Sequence, residues 1–123
     1  MSWTLKNLAD VEDLAAKHGF GDFQEARFPR EDLEAQATGV AYLRLKPGQR
    51  QPFGHRHREA EEIYVVLAGS GRAVLDDDEV ELRPLDALRL GPDTARRLEA
   101  GPDGLDYIAF GPRVAGDAEM LKD

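Results

Sequence analysis

Apolar and polar residues alternate along most of the chain from Thr38 onward, in short segments that Pro and Gly separate roughly every ten residues. This rhythm predicts an all-β sandwich or barrel. We predict eight strands, in GVAYLRL, the stretch around HRH, EIYVVLA, GRAVL, EVELR, DALRL, ARRLEA and LDYIAF. The predicted turns are KPGQ, AGSG, DDDE and GPD. Eight short strands suit a closed or nearly closed barrel.

The N-terminal segment has a different pattern, which predicts one short helix over roughly residues 11–18. Asp10 is a good N-cap for it, Leu14 lies on its apolar side, and Gly19 is a C-terminal stop. Four aromatic residues of this arm are expected to hold it against the barrel or an interface: Trp3, Phe20, Phe23 and Phe28. His18 at the helix end is expected to complement the helix dipole.

These patterns divide the chain into three parts. Residues 1–37 form an N-terminal arm with the short helix, residues 38–112 form the barrel, and residues 113–123 form a tail that wraps the barrel or frays. A length of 123 residues corresponds to one ordinary domain with a single core.

Composition excludes several classes of protein. The longest apolar run, IYVVLA, is far too short to cross a bilayer, and the N-terminus lacks an export-signal pattern. We therefore expect a cytoplasmic protein without a membrane partner. A net charge of −8, with no cluster of Lys and Arg, argues against nucleic-acid binding. The chain has no cysteine, so a metal site must use His, Asp, Glu or carbonyl ligands.

The stretch GHRHREAEE, residues 54–62, carries the candidate chemistry. Because side chains alternate between the faces of a strand, His55 and His57 project to the same side. Glu61 and Glu62 point to opposite faces, so only one of them can join the histidines. Two imidazoles and one carboxylate form a three-ligand set that suits Fe(II), Mn(II), Ni(II) or Zn(II). The alternative is that the two histidines form a pair without a metal.

The same window resembles the first motif of the cupin superfamily: Gly, five residues, His-x-His, three or four residues, Glu, six residues, Gly. His55, His57 and Glu62 match it, and Gly69 follows Glu62 after six residues. The spacing to Gly69 selects Glu62 over Glu61. Gly48 stands one residue farther from His55 than the pattern has it.

The resemblance spans roughly residues 40–110 and implies a small double-stranded β-helix whose metal ligands, His55, His57 and Glu62, point into the lumen. Tyr64 lies on the same face as Glu62 and would line the lumen with it. Ile63, Val65 and Leu67 would face outward and need cover from the arm or from a second subunit. Cupins of this size commonly form homodimers, so a homodimer is expected here.

The second cupin motif is Gly, five residues, Pro-x-Gly, two residues, His, and the corresponding stretch LDALRLGPDTAR departs from it. Leu85 stands where the first Gly is expected, and Gly91 and Asp93 stand where Pro and Gly are expected. Arg96 falls on the position of the fourth metal ligand.

Arginine cannot act as that ligand, because its guanidinium stays protonated. A guanidinium about 5 Å from a divalent ion would be repelled by roughly 7 kcal/mol at an effective dielectric constant of about 20. Arg96 therefore either turns out of the lumen, pairs with Glu62 in place of a metal, or faces an anionic ligand.

Two main functions remain open on the sequence. One is a metal-dependent cupin in which Arg96 orients a small anionic substrate. The other is a metal-free module that binds a small molecule through Tyr64 and Arg96 without transforming it. A purely structural dimerisation domain is a third reading. The sequence identifies neither the ligand nor a reaction.

Overall fold

The structure is a computed structural model that describes residues 2–121. Its strands are β1 (Gln24–Arg27), β2 (Thr38–Leu45), β3 (Gly54–His57), β4 (Glu62–Leu75), β5 (Asp78–Leu82), β6 (Ala87–Leu90), β7 (Arg96–Pro112) and β8 (Ala118–Leu121). A 3-10 turn, Leu8–Asp10, and one helix, α1 (Leu14–Lys17), precede them. In residues 2–121 neither helix has the length and apolar character needed to cross a membrane. The all-β prediction is confirmed.

All strand pairs are antiparallel, and the two longest strands organise the sheet. The pairing order is β1-β2-β7-β3-β8, while β4 pairs with β5, β6 and β7. β7 therefore contacts both the half that carries the histidines and the half that begins with Glu62. This arrangement brings the two halves of the candidate site together.

The predicted turn AGSG, residues 68–71, is wrong, because β4 continues through it. EIYVVLA and GRAVL form one strand of 14 residues, paired along its length with the 17-residue β7. The register shifts twice, between Val66 and Ala68 and between Gly69 and Gly71. Gly69 has φ +82°, and a Cβ there would clash with the Gly104 carbonyl oxygen. Glycine marks a β-bulge here rather than a chain reversal.

The helix is shorter than predicted, and its N-cap is Asp13 rather than Asp10. Asp13 Oδ1 accepts hydrogen bonds from the backbone N–H groups of Ala15 at 3.0 Å and Ala16 at 3.4 Å. The same oxygen accepts the Ala26 N–H of β1 at 2.9 Å. Asp10 instead ends the 3-10 turn. The cap that also ties α1 to β1 therefore sets the start of the helix.

The predicted inward and outward faces of β4 are confirmed. Tyr64 and Val66 are buried in the barrel, whereas Leu67 is 44% exposed. The core cluster consists of Ala41, Leu45, Tyr64, Val66, Ala73, Leu82, Leu90, Leu98, Leu105, Tyr107 and Ala109. Cover of the outer face by a second subunit stays a prediction.

The C-terminal tail packs on the barrel through β8. This strand pairs with β3, placing Met120 opposite His55 and Ala118 opposite His57. The tail thus becomes the neighbour of the strand that carries the histidines.

Candidate metal and ligand site

His55 and His57 lie on β3, between β7 and β8, and project to the same side as predicted. Their ring centroids are 5.4 Å apart with planes at 84°. Each imidazole keeps about a fifth of its surface exposed, at 20% and 21%. They are therefore reachable from solvent while being held on a paired strand.

Glu62, the first residue of β4, completes the cluster. Its Oε1 lies 3.7 Å from His57 Nε2 and 4.0 Å from His55 Nε2. Glu61 points away and pairs with Arg89 at 3.1 Å on the exposed surface. The structure therefore selects Glu62 as the carboxylate of the cluster.

The donor set fits a divalent ion of the first transition row. One nitrogen or oxygen from each of His55, His57 and Glu62 lies within 4.8 Å of the other two. Two donors bound to one ion at about 2.1 Å each cannot be farther apart than about 4.2 Å. Both His–Glu62 separations lie within that limit. A set on one side of an ion needs its donors about 3.0–3.4 Å apart, so the three side chains must move closer for all of them to bind.

Arg96 lies opposite His55 in the β3–β7 pairing and points into the barrel. Its Nη2 donates to Glu62 Oε1 at 2.8 Å, and its Nη1 donates to the Thr94 carbonyl oxygen at 2.8 Å. Its side chain has no exposed surface. Of the three arrangements that the sequence left open, the structure shows the pairing with Glu62.

Tyr64 lies beneath the same pair and is 3% exposed. Burial raises the pKa of Tyr64, and the negative charge of Glu62 raises it further. Burial lowers the pKa of Arg96, but Tyr64 and Glu62 outweigh it, so the pKa stays above the ordinary arginine value. Arg96 is a permanent cation and Tyr64 a neutral phenol. Direct contact of these two residues with a ligand stays a prediction.

His55 is held in its neutral form. Burial lowers its pKa to about 4, with the nearby charges of Arg96 and His57 acting in the same direction against the opposing effect of Glu62. A neutral imidazole has a free lone pair at neutral pH, which is the form that a metal requires.

Asp117 is a residue of the site that sequence reasoning missed. Its Oδ2 lies 3.5 Å from His57 Nδ1, on the side of the ring away from Glu62. The carboxylate also accepts the backbone N–H groups of Arg58, Glu59 and Ala60 at 2.8–3.1 Å. Burial raises the pKa of Asp117, but these backbone hydrogen bonds and His57 outweigh it and lower the pKa. Nothing in the tail sequence marks an acidic residue that closes back on the histidine loop.

The second motif keeps a glycine-like backbone without the glycines. Leu85 has φ +73° and Asp93 has φ +65°, and both stand where the cupin pattern has Gly. Leu85 is 84% exposed, so packing of its side chain does not compensate for this conformation. The chain path to Arg96 follows the motif although the residues differ.

Two cavities border the cluster, one beside His57 and Glu62 and the other beside His55. One, of about 270 Å³, is lined by His57, Glu62, Arg30 and Arg113 among others. The other, of about 340 Å³, borders His55 and lies between the barrel and the N-terminal arm. The cluster can therefore meet a molecule in either cavity.

Comparison with known proteins agrees with this picture. Residues 41–103 match the sequence model of the family described as cupin domain. A 45-residue stretch is 36% identical to an uncharacterized protein of Methanocaldococcus jannaschii, and covers 37% of this chain. The matched stretch is 36% of that curated relative's length.

Solved structures share the fold at low identity. A cupin protein from Bacteroides fragilis superposes with a TM-score of 0.75 at 22% identity, covering 100% of this chain and 91% of that one. The polyketide cyclase RemF from Streptomyces resistomycificus superposes with a TM-score of 0.79 at 19% identity, and the match covers 100% of this chain and 87% of RemF. Oxalate decarboxylase from Bacillus subtilis superposes with a TM-score of 0.74 at 16% identity, and the match covers 96% of this chain and 33% of that protein. The predicted double-stranded β-helix is thereby confirmed. Sequence identities this low show a shared fold and not a shared function.

Proposed function

The chain belongs to the cupin family, and from that premise we propose that it binds a small molecule at a divalent metal ion held by His55, His57 and Glu62. The observation that carries this proposal is the convergence of the three donors within 4.8 Å of one another. Fe, Mn, Ni and Zn all accept such a set of two nitrogens and one oxygen. An ion in this position would supply Lewis-acid polarisation of a bound oxygen or a site for activating one.

The surrounding residues orient the donors. Asp117 faces Nδ1 of His57, which directs Nε2 toward Glu62. This is the arrangement by which carboxylates outside the ligand set orient metal-binding histidines. Arg96 fixes the Glu62 carboxylate through one of its oxygens. This Oε1 is also the Glu62 oxygen that lies 3.7 Å from His57 Nε2 and 4.0 Å from His55 Nε2, so an ion held by the three residues would meet the carboxylate at an oxygen that already accepts from Arg96.

A small anion suits the cavity beside His57 and Glu62. Arg30 and Arg113 line this cavity. Arg30 Nε has no hydrogen-bond partner among the residues that the structure describes. The two guanidinium groups would attract a carboxylate or phosphate and place it beside the ion, against the opposing charges of Glu61 and Glu62 on the same walls. We therefore extend the proposal to a small anionic ligand.

Elemental analysis of untagged protein tests the metal. We expect about one Fe, Mn, Ni or Zn per chain in the wild type and in His18→Ala, the matched control that removes the histidine outside the cluster. His57→Ala is expected to lose the metal. Wild-type protein that stays metal-free after loading with each of the four ions would sink the proposal.

A metal-free binding module is a second candidate, because a specific contact favours it. The Arg96–Glu62 pair at 2.8 Å already gives the carboxylate a cationic partner inside the barrel. An Arg96→His variant distinguishes the two candidates, since it restores the expected fourth ligand. Metal in this variant but not in the wild type would show that Arg96 displaces the ion, and the protein would then be screened for anions that raise its thermal midpoint.

A further inference from the structure

The cavity beside His55 has walls of a different character from the cluster itself. Thirteen residues line it, and none of them is Asp, Glu, Lys or Arg. Its main apolar side chains are those of Leu14, Phe20, Phe28, Leu43, Phe53 and Met120. In a protein with a net charge of −8, a cavity of about 340 Å³ without a charged wall disfavours a charged occupant.

Large apolar side chains at this cavity remain exposed. Phe28 is 48% exposed, Phe53 is 46% exposed and Met120 is 68% exposed. Phe20 holds the Phe53 ring edge to face at 5.4 Å between centroids. Exposed apolar area of this kind is typical of protein-binding and ligand-binding surfaces, because covering it removes it from water, and its position around a concave site favours a ligand.

The few polar groups on the walls are not equally available. Gln51 already has hydrogen-bond partners, since its Nε2 donates to the Tyr107 hydroxyl and its Oε1 accepts the Leu98 N–H. His55 reaches both this cavity and the cluster. A molecule in the cavity therefore meets polar contacts at His55, on the side where the cluster lies, and at Gln24, whose buried Oε1 has no hydrogen-bond partner among the residues that the structure describes.

The walls belong mainly to parts of the chain outside the cupin match. Eight of the thirteen lining residues fall outside residues 41–103. Seven of them come from α1, β1 and the residues around them, and the eighth is Met120 on β8. The arm and the tail therefore supply most of the lining, while the barrel supplies Leu43, Gln51, Pro52, Phe53 and His55.

We propose that this cavity binds the uncharged aromatic part of an organic molecule and presents its polar group to His55. Flat rings fit between the phenylalanine side chains and cover the exposed apolar area, whereas a sugar of similar size would leave its hydroxyl groups unpaired against these walls. The inference goes beyond the metal site, because filling this cavity requires no ion. It gives the N-terminal arm, through Leu14, Phe20 and Phe28, a part in ligand binding.

Fluorescence titration with N-phenyl-1-naphthylamine, an uncharged aromatic probe, tests the inference on chelator-treated protein. We expect saturable binding of one probe per chain, displaced by 2-naphthol and not by glucose. Met120→Asp introduces a carboxylate at the mouth and should weaken binding at least about tenfold. Leu85→Asp introduces the same charge at an exposed leucine that does not line the cavity, and should bind as the wild type does.

His57→Ala separates this inference from the proposed metal site. His57 does not line the cavity, so we expect probe binding to persist in that variant while metal is lost. If the wild type holds no metal but binds the probe, the metal proposal fails and this inference stands. Phe53→Asp serves as a second cavity variant if circular dichroism shows that Met120→Asp is unfolded. Absence of saturable binding, equal affinity in the cavity variants and Leu85→Asp, or displacement by glucose would overturn the inference.

Discussion

The two segments that build the site differ in what they keep of the cupin pattern. Residues 54–69 keep its chemistry, with His55, His57 and Glu62 on one side of the lumen. Residues 85–96 keep its backbone path, with positive φ at Leu85 and Asp93, but present Arg96 where the fourth ligand is expected. The first segment keeps the side chains of the pattern, and the second keeps its backbone conformation.

This difference shows that the barrel accommodates the buried charge of Arg96 because Glu62 provides an opposite charge beside it. Arg96 is 1% exposed overall, and its charge lies against Glu62 and the Thr94 carbonyl oxygen. Glu62 therefore serves both segments, as a candidate metal ligand of the first and as the counter-charge of the second. A substitution at Glu62 should separate these roles.

The largest expected effect is that of Glu62→Leu on stability. Removing the carboxylate leaves the Arg96 guanidinium buried without its counter-charge, which costs about 3–5 kcal/mol when a buried pair is broken. Urea unfolding in the presence of EDTA measures this loss without a contribution from bound metal.

The double variant Glu62→Leu/Arg96→Leu is the matched control. Replacing both charges by apolar groups is often close to neutral, so most of the lost stability should return. Equal stability of the wild type and Glu62→Leu would show that Arg96 is not held by this pair in solution.

Asp117→Asn should weaken metal binding by roughly 10- to 100-fold, the usual effect of losing a carboxylate that orients a ligand. The amide is similar in shape but no longer offers a negative charge to His57 Nδ1. Competition for Zn(II) against a chromophoric chelator measures the change. Asp77→Asn, in the exposed hairpin, is the control, and an unchanged affinity in Asp117→Asn would remove Asp117 from the site.

The sequence predicts the first segment well because its signals are local. His55 and His57 share a face by strand alternation alone, and the spacing to Gly69 selects Glu62. The sequence predicts a turn at Gly69 where the structure has a bulge, because glycine is common in both and only the pairing of β4 with β7 distinguishes them.

The rest of the site depends on contacts that are distant in sequence. Asp117 and His57 are in contact, but strands β4 to β7 lie between them in the sequence. The segment after Asp117 is a strand, β8, because it pairs with β3. The sequence leaves three arrangements of Arg96 open, of which the contact with Glu62 is one. The spacing of residues along the chain does not determine where the end of a long side chain lies. The cavity beside His55 arises from the docking of α1 and β1, which local patterns do not describe.

A smaller effect is expected at Leu85, where the second segment has a leucine in a glycine conformation. Leu85→Gly should stabilise the protein by about 0.5–1 kcal/mol, because relief of the left-handed backbone exceeds the added freedom of glycine in the unfolded chain. Leu85→Ala separates this effect from loss of the exposed side chain, since alanine keeps the strain. A change in Leu85→Ala as large as that in Leu85→Gly would argue against backbone strain.

The smallest effect is expected for Asp93→Gly, although φ at Asp93 is nearly the same as at Leu85. Aspartate enters the left-handed region more easily than leucine because its short polar side chain hydrogen-bonds locally. Relief of strain and the added freedom of glycine should then nearly cancel, leaving a change within about 0.5 kcal/mol. The Asp93 N–H donates to the His57 carbonyl oxygen at 2.7 Å, and glycine keeps this bond. Urea unfolding of both glycine variants compares the two positions directly, and a gain at Asp93 equal to that at Leu85 would show that residue type does not matter there.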